Sequence, residues 1–233
     1  SRGREMNGKV RHSLRLTAML YLLDYGAGNI QSLANSLTKL GYTYEWVREP
    51  SDISKADKLL FPGVGSFASA MDALHAKGYV EPLRAYIQSG KPLMGICVGM
   101  QVLFEGSDES PGVQGLGIVP ARVGRFATQD AFGRKAVPHM GWSLANVVEW
   151  DGCADQRHEL AKSYGMHDAN PSHYYFVHSY RVAWDANVAE WALTTTQYGN
   201  EIFVSSIQHA NVFATQFHPE KSGQAGLDLL AAW

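Results

Sequence analysis

A single cysteine lies between two glycines in the run MGICVGMQ, residues 94–101. Gly95 and Gly99 are each two positions from Cys97, and the apolar residues before the cysteine predict a buried strand. A sharp turn from strand to helix needs small neighbours, and it directs the central side chain out of the sheet. Cys97 is therefore a candidate nucleophile with an exposed thiol. The alternative is a structural cysteine, because free cysteine is among the most buried residue types.

A thiolate nucleophile needs a base, and the segment QFHPE near the end of the chain offers one. His218 and Glu220 lie two positions apart, so an extended backbone would place both side chains on one face, where the carboxylate could orient the imidazole. Taken alone, the pair is more typical of a surface histidine beside a surface glutamate. His178 and His139 are rival bases, each next to a strand-like segment and without a nearby carboxylate.

A glycine-rich loop, FPGVGSF, follows another apolar run. Acyl transfer needs hydrogen-bond donors for an oxyanion, and the backbone N–H groups of Gly63, Val64 and Gly65 could supply them. An ordinary turn from strand to helix explains this loop equally well. The segment DYGAGN matches a dinucleotide fingerprint only in part, since Gln31 replaces its third glycine, so we predict no cofactor. No histidines, cysteines and carboxylates have metal-ligand spacing, so no metal is expected.

The first half of the chain alternates strand and helix patterns. This alternation predicts an α/β fold, with a mainly parallel, doubly wound sheet and helices on both faces. Ligands bind such sheets at the carboxyl ends of the strands, where Cys97 lies. A helix over 98–106 would place the thiol at a positive helix end, which favours the thiolate. Strands are predicted for 18–25, 42–47, 58–63 and 92–97, and other helices for 29–40, 66–76 and 81–88.

After Val113, strand-like runs follow one another with little helix between them. These strands are expected to be antiparallel, and to extend the same sheet or form a second one; Gly199 and Asn200 are a hairpin signal. Residues 151–172 are polar and aperiodic, which indicates a surface insertion within one domain spanning 19–233. Residues 1–18 are predicted to be a tail, either a transit-peptide remnant or a tag. The runs cover 173–180, 190–198, 201–208 and 211–217.

The composition excludes several classes of protein. The formal net charge is -2, and no run of basic residues is interleaved with aromatic ones, which argues against a nucleic-acid ligand. No stretch approaches the roughly 18 apolar residues of a membrane helix, so no membrane association is expected. A chain of 233 residues needs no disulfide, so Cys97 and Cys153 are expected to be free thiols.

Taken together, the motifs resemble those of class I (triad) glutamine amidotransferases. The segments GICVGMQVLFEGSDE and ATQFHPEKSG resemble the whole class. DYGAGN, PGVGSF, PHMGW and YYFVHSY resemble its members that serve as the glutaminase component of imidazole glycerol phosphate synthase in histidine biosynthesis. The resemblance runs from about Met19 to the end of the chain. Ala27 and Val98 stand where that family commonly has Pro and Leu, and neither side chain reacts.

The resemblance also implies a role for individual residues. It implies a nucleophile at Cys97, a base at His218 and an orienting acid at Glu220. Further implied are oxyanion donors at Gly63, Val64 and Val98, glutamine contacts at Gly65, Gln101, Glu109, Ser179 and Tyr180, and a partner interface at Asn29, Met140 and Trp142.

The implied reaction is hydrolysis of glutamine through a Cys97 thioester, with the ammonia passed to a (β/α)8 cyclase. That cyclase would be a separate subunit or a fused domain, because a (β/α)8 unit needs about 200 residues more than this chain supplies. The alternatives are an amidotransferase component of another synthase, a catalytically silent glutamine-binding subunit and a general cysteine hydrolase. The expected compartment is the cytoplasm, or a plastid if the tail is a transit-peptide remnant.

Overall fold

The computed structural model describes residues 18–26, 30–149, 154–166 and 172–233. Asn29, Cys153, nearly all of the tail and the ends of the 151–172 segment lie outside the described residues. The predictions made for them stay predictions.

Fifteen strands and seven helices make up the described part of the chain. None of these helices is long and apolar enough to cross a membrane. The strands are β1 (Leu20–Leu23), β2 (Glu45–Val47), β3 (Lys58–Gly63), β4 (Leu93–Cys97), β5 (Phe104–Ser107), β6 (Val119–Arg125), β7 (Gln129–Asp130), β8 (Gly133–Arg134), β9 (His139–Leu144), β10 (Asn146–Val147), β11 (His173–His178), β12 (Tyr180–Arg181), β13 (Ala192–Tyr198), β14 (Glu201–His209) and β15 (Val212–Thr215). The helices are α1 (Gln31–Lys39), α2 (Pro50–Lys55), α3 (Phe67–Ala76), α4 (Val80–Gln88), α5 (Val98–Gln101), α6 (Ala154–Ser163) and α7 (Gly223–Ala232).

Eight strands form a central sheet in the order β10-β13-β14-β15-β4-β3-β1-β2. The five strands from β15 to β2 are parallel to one another. β14, β13 and β10 continue the sheet beyond β15 in antiparallel pairing. This topology confirms the predicted α/β fold, and it places the appended antiparallel strands in the same sheet. Beside it, β9 pairs with β11, and β6 pairs with β5 and β12.

The parallel strands are apolar throughout because both of their faces are covered. Every residue of β1 and β4 is buried, although successive side chains of a strand point to opposite faces. The apolar stripe of α1 buries Leu33, Ala34 and Leu37. Because β3 and β4 pair in parallel, with Gly63 in register with Cys97, the carboxyl ends of these two strands lie side by side.

The helix predicted over 98–106 is wrong beyond Gln101. α5 has four residues, and the chain then enters β5, which pairs in parallel with β6. Leu103 and Phe104 are fully buried, and an apolar run this short fits a strand as well as a helix. Because a helix dipole is the sum of aligned peptide units, four residues contribute little to stabilising a thiolate. That stabilisation must come mainly from side chains.

The described part of the 151–172 segment packs on the central sheet. Ala161 and Met166 are buried. The ring of Tyr164 stacks on Phe213 of β15 with centroids 4.5 Å apart, and its hydroxyl donates a hydrogen bond to Gln208 Oε1 at 3.0 Å. The turn after α6 therefore packs on β14 and β15, away from the carboxyl end of β4.

Candidate active site

Cys97 is the last residue of β4 and the N-cap of α5. Its φ of 57° and ψ of -112° lie outside the regions that side-chain-bearing residues favour, and Ala210 is the only other described non-glycine residue with a positive φ. Gly99 permits this sharp turn, because a Cβ atom there would lie 1.9 Å from the carbonyl oxygen of Phe61. Strained backbone of this kind concentrates at functional sites, and here it turns the thiol away from the strand.

The Cys97 thiol faces a cavity of about 390 Å³ rather than open solvent. Because loops surround this cavity, the residue is only 5% exposed, and the expectation of an exposed thiol is wrong. The structure brings together most of the residues singled out in the sequence. Val64, Gly65, Val98, Gln101, Glu109, Ser179, Tyr180 and His218 all line the same cavity as Cys97.

His218 lines the cavity and Glu220 lines a small adjoining void, and both residues follow β15. The Nδ1 atom of His218 donates a hydrogen bond of 2.7 Å to Glu220 Oε1, and both side chains are buried. They do not share one face of an extended segment as predicted, because Pro219–Lys221 forms a 3-10 turn that proline at its first position favours. The turn brings the carboxylate back onto the imidazole. This contact leaves Nε2 of His218 available to Cys97.

The charges around His218 favour its protonated form. Burial alone would lower the pKa of this histidine, but the Cys97 thiolate, through its charge and a hydrogen bond, and the Glu220 carboxylate together raise the pKa to about 10. Cys97 and His218 are therefore suited to form a thiolate–imidazolium pair. Among the described residues, no group of three or more His, Cys, Asp or Glu side chains could hold a metal ion.

The glycine-rich loop after β3 lies next to this pair. Val64 and Gly65 line the cavity, whereas Gly63 lines a small adjoining void together with His218 and Glu220. A Cβ atom at Gly63 would lie 2.6 Å from the Gly99 backbone nitrogen, so only glycine lets the loop approach the cysteine turn this closely. The loop and the turn thus supply neighbouring backbone segments, as an oxyanion site requires.

Two further polar side chains that line the cavity are held by hydrogen bonds. Gln101 Nε2 donates hydrogen bonds to the Tyr180 carbonyl oxygen at 3.1 Å and to Gln216 Oε1 at 2.9 Å. Glu109 Oε2 accepts a hydrogen bond of 3.0 Å from the backbone nitrogen of Phe67, the first residue of α3. Both side chains are held in place before any ligand arrives.

Gln216 is a site residue that the sequence reasoning missed. It is fully buried, and its Nε2 atom donates to Cys97 Sγ at 3.7 Å. The available signal was a polar residue at the end of an apolar strand, two positions before His218. A buried amide needs partners, so its presence there could have indicated a polar site.

The two rival bases do not contact Cys97. His178 lines the cavity, but its ring bonds to His139 at 3.0 Å and to the Tyr180 carbonyl oxygen at 2.8 Å. Desolvation by burial lowers the pKa of His139 to about 4 and that of His178 to about 3. Both rings are therefore neutral at physiological pH, and neither has a carboxylate partner. Of the three histidines, only His218 has the contacts of a catalytic base.

Met140 and Trp142, predicted to face a partner, are large exposed side chains on β9. They are 63% and 55% exposed and, two positions apart, point to the same face of the strand. The neighbouring residue His139 is buried. Met140 and Trp142 therefore form an exposed apolar surface on β9, whereas Asn29 lies outside the described residues.

Residues 21–231 match the class-I glutamine amidotransferase family. The HisH subunit of imidazole glycerol phosphate synthase from Methanothermobacter thermautotrophicus is 42% identical, over 91% of this chain and 96% of its own length. The imidazole glycerol phosphate synthase hisHF of Emericella nidulans is 46% identical to this chain. The chloroplastic hisHF of Arabidopsis thaliana is 45% identical. The matches cover 92% and 95% of this chain, but only 37% and 35% of the length of these two relatives.

Solved structures agree on the fold. A glutamine amidotransferase crystal structure superposes with a TM-score of 0.64 over 92% of this chain and 98% of its own, at 20% identity. The glutaminase domain of Trypanosoma brucei CTPS, solved with bound acivicin, gives a TM-score of 0.59 over 93% of each chain, at 16% identity. At these identities the likeness concerns the fold alone. The family match over nearly the whole sequence, with relatives well above 30% identity, confirms the resemblance found in the motifs: this chain belongs to the class-I glutamine amidotransferases, in the imidazole glycerol phosphate synthase HisH group.

Proposed function

We propose that this chain hydrolyses glutamine to glutamate and ammonia through a thioester on Cys97, as the glutaminase component of an imidazole glycerol phosphate synthase. The observation that carries the proposal is the arrangement of Cys97, His218 and Glu220 at one end of a cavity lined by polar groups. Family membership supports the substrate and the assembly.

The first half of the reaction forms the thioester. The Cys97 thiolate attacks the side-chain amide carbon of glutamine, and the oxygen of the resulting tetrahedral intermediate carries a negative charge. Backbone N–H groups of Val98 and of the Gly63–Val64 stretch stabilise that charge. Protonated His218, held by Glu220, gives its proton to the nitrogen, the carbon–nitrogen bond breaks and ammonia leaves.

The second half releases glutamate. Neutral His218 takes a proton from water, and the resulting hydroxide attacks the thioester carbon. The carbon–sulfur bond breaks, which regenerates the thiolate and the imidazolium. Glu220 holds the same tautomer and orientation of the ring in both halves.

Five other residues of the cavity recognise the rest of the substrate. Glu109 supplies negative charge that complements the α-ammonium group of glutamine, and Gly65, Gln101, Ser179 and Tyr180 surround the remainder. All five residues line the cavity that contains Cys97. Their placement ahead of ligand binding reduces the ordering cost of association.

The ammonia is passed to a (β/α)8 cyclase, either a separate subunit or a domain fused to this chain. The hisHF relatives, of which this chain spans about 37% or less, support a fused form, and the HisH subunits support a separate one. Met140 and Trp142 present apolar surface for this partner, with Asn29 as a further contact, because exposed apolar patches commonly mark interaction sites. We place the chain in the cytoplasm, or in a plastid if residues 1–18 are a transit-peptide remnant; the Arabidopsis relative, a chloroplastic form, supports the second location.

A coupled assay tests this proposal. Glutamate release is measured for the chain alone, with a (β/α)8 cyclase, and with the cyclase and its nucleotide substrate. We expect slow hydrolysis by the chain alone and faster hydrolysis with the loaded cyclase, since reorienting one oxyanion donor changes the rate by about 100-fold to 1,000-fold.

Cysteine variants provide the control. Cys97→Ser should abolish glutamine-dependent synthesis while synthesis from added ammonia continues, and Cys153→Ser should leave both reactions intact. In the coupled assay, equal rates of glutamate release by the chain alone, with the cyclase and with the loaded cyclase would contradict activation by a partner. Loss of the glutamine reaction in Cys153→Ser, with Cys97→Ser active, would contradict the assigned nucleophile.

A further inference from the structure

A row of hydrogen-bonded side chains outside the proposed triad ends beside the nucleophile. His139 and His178 are directly opposite each other in the β9–β11 pair. His139 Nδ1 and His178 Nε2 are 3.0 Å apart, His139 Nε2 is 3.0 Å from Ser143 Oγ, and His178 Nδ1 is 2.8 Å from the Tyr180 carbonyl oxygen. Both rings are almost completely buried, so every ring nitrogen has a protein partner.

The contacts fix the direction of each hydrogen bond. A carbonyl oxygen can only accept, so His178 Nδ1 carries the proton and donates to Tyr180. In a neutral ring, His178 Nε2 must then accept, which makes His139 Nδ1 the donor. His139 Nε2 accepts in turn from the hydroxyl of Ser143. The row therefore has one polarity, from Ser143 through both histidines to the Tyr180 carbonyl.

The surroundings keep both rings neutral. Phe126, Phe176 and Phe203 surround the pair with ring centroids between 5.0 and 6.1 Å away, and Tyr198 stacks on His139 at 4.2 Å. Burial is the largest cause that lowers the pKa of both rings; Lys135 adds to it at His139, and His218 and Arg181 add to it at His178. Each opposes a further positive charge in the aromatic enclosure.

The row continues beyond Tyr180 to the thiol. The Tyr180 carbonyl oxygen is held from two sides, by His178 and by Gln101 Nε2. Gln101 also donates to Gln216 Oε1, which obliges the amide nitrogen of Gln216 to face Cys97 Sγ, 3.7 Å away. The orientation of both amides thus depends on the position of one carbonyl group.

We infer that His139 and His178 are positioning residues that, through the Tyr180 carbonyl, Gln101 and Gln216, hold an N–H donor against the Cys97 thiolate. The inference rests on the proposed function for its catalytic meaning, but the arrangement of the thiol can be tested separately. A neutral histidine suits this task because it both donates and accepts, which a leucine of similar bulk cannot do. Losing the His178 donor would leave the Tyr180 carbonyl with one anchor fewer, and an unpaired buried group tends to move towards another partner.

The test compares two variants of one residue. The amide nitrogen of His178→Asn can occupy the place of Nδ1 and keep the bond to Tyr180, whereas His178→Leu removes every polar contact. Both are made in a Cys153→Ser background, so that Cys97 is the only thiol. Three quantities are measured: the rate of alkylation by iodoacetamide at pH 7, kcat and KM for glutamine with the cyclase present, and the free energy of unfolding.

We expect His178→Leu to slow alkylation and to reduce kcat, each by about tenfold, and His178→Asn to recover at least a third of the wild-type values. His209→Asn, at the opposite end of the sheet in an exposed pair with Glu190, serves as a control and should change neither rate. If the leucine variant does not fold, His178→Ala, which adds no bulk, takes its place.

If folded His178→Leu is alkylated at the wild-type rate, the inference is overturned, since a merely structural histidine would leave the reactivity of the thiol unchanged. Equal losses in the Asn and Leu variants would overturn the route through Tyr180. If the unmodified chain hydrolyses no glutamine, the proposed function fails instead, and the alkylation rates still decide the inference.

Discussion

Lowering the pH from 7 to 5 should destabilise this protein through His139 and His178. In the folded chain, desolvation lowers their pKa values to about 4 and about 3, so both stay neutral at pH 5. In the unfolded chain each titrates near its ordinary pKa of about 6.5 and becomes protonated. A depressed pKa contributes stability that is present above pH 6.5 and is lost as the pH falls towards the folded value.

The size of the effect depends mainly on the unfolded chain. Protonation of a group with a pKa of about 6.5 favours the unfolded state at pH 5 by roughly 2 kcal/mol relative to pH 7, so the two histidines together cost about 4 kcal/mol. His218 acts with the opposite sign. Its raised pKa of about 10 contributes stability that is fully present below pH 6.5 and is lost only as the pH rises through about 10. A variant that keeps His218 and Cys97 keeps this contribution, so it cancels when that variant is compared with the wild type.

Urea unfolding at pH 7, 6 and 5 measures this loss. The matched control is the double variant His139→Gln/His178→Asn, whose amides do not titrate in this range. We expect the variant to be less stable at pH 7 but to lose about 4 kcal/mol less than the wild type between pH 7 and pH 5. Parallel stability curves for the two proteins would refute the assignment of buried, neutral histidines.

Three further substitutions test other parts of the structure. His218→Ala should reduce glutamine turnover by about 100-fold to 10,000-fold, and His178→Ala by much less; an equal collapse in both would contradict the choice of base. Gly99→Ala should destabilise the fold by more than about 3 kcal/mol because its Cβ would overlap the Phe61 carbonyl oxygen, whereas Gly112→Ala, with open space around it, should have little effect on urea unfolding. Trp142→Ala should weaken binding of a cyclase by about tenfold or more with stability nearly unchanged, while the exposed Phe132→Ala serves as its control; equal affinities by titration calorimetry would place the interface elsewhere.

The sequence predicted those parts of the molecule that depend on local pattern. Alternating apolar runs and helical stripes were enough for the parallel sheet, and the glycines around Cys97 were enough for its turn. Local pattern failed just after the cysteine, where Leu103 and Phe104 are buried in a way that suits a helix and a strand equally. The outcome there is decided by pairing with β6, a strand more than ten residues further along the chain.

The residues of the site likewise differ in how far they could be predicted from local sequence. Cys97, His218 and Glu220 belong to two short motifs. The glycine spacing around Cys97 and the proline between His218 and Glu220 each determine the local backbone that positions these side chains. Gln216 and the two neutral histidines carry a much weaker local signal, because their partners lie on other segments. Gln216 bonds to Gln101 and Cys97, and His139 on β9 bonds to His178 on β11. A sequence pattern can indicate which group reacts, since reactivity depends on residue type and its immediate backbone. The groups that orient the reactive one are selected by how distant strands meet, and for this reason the arrangement around the thiol becomes visible only in the folded chain.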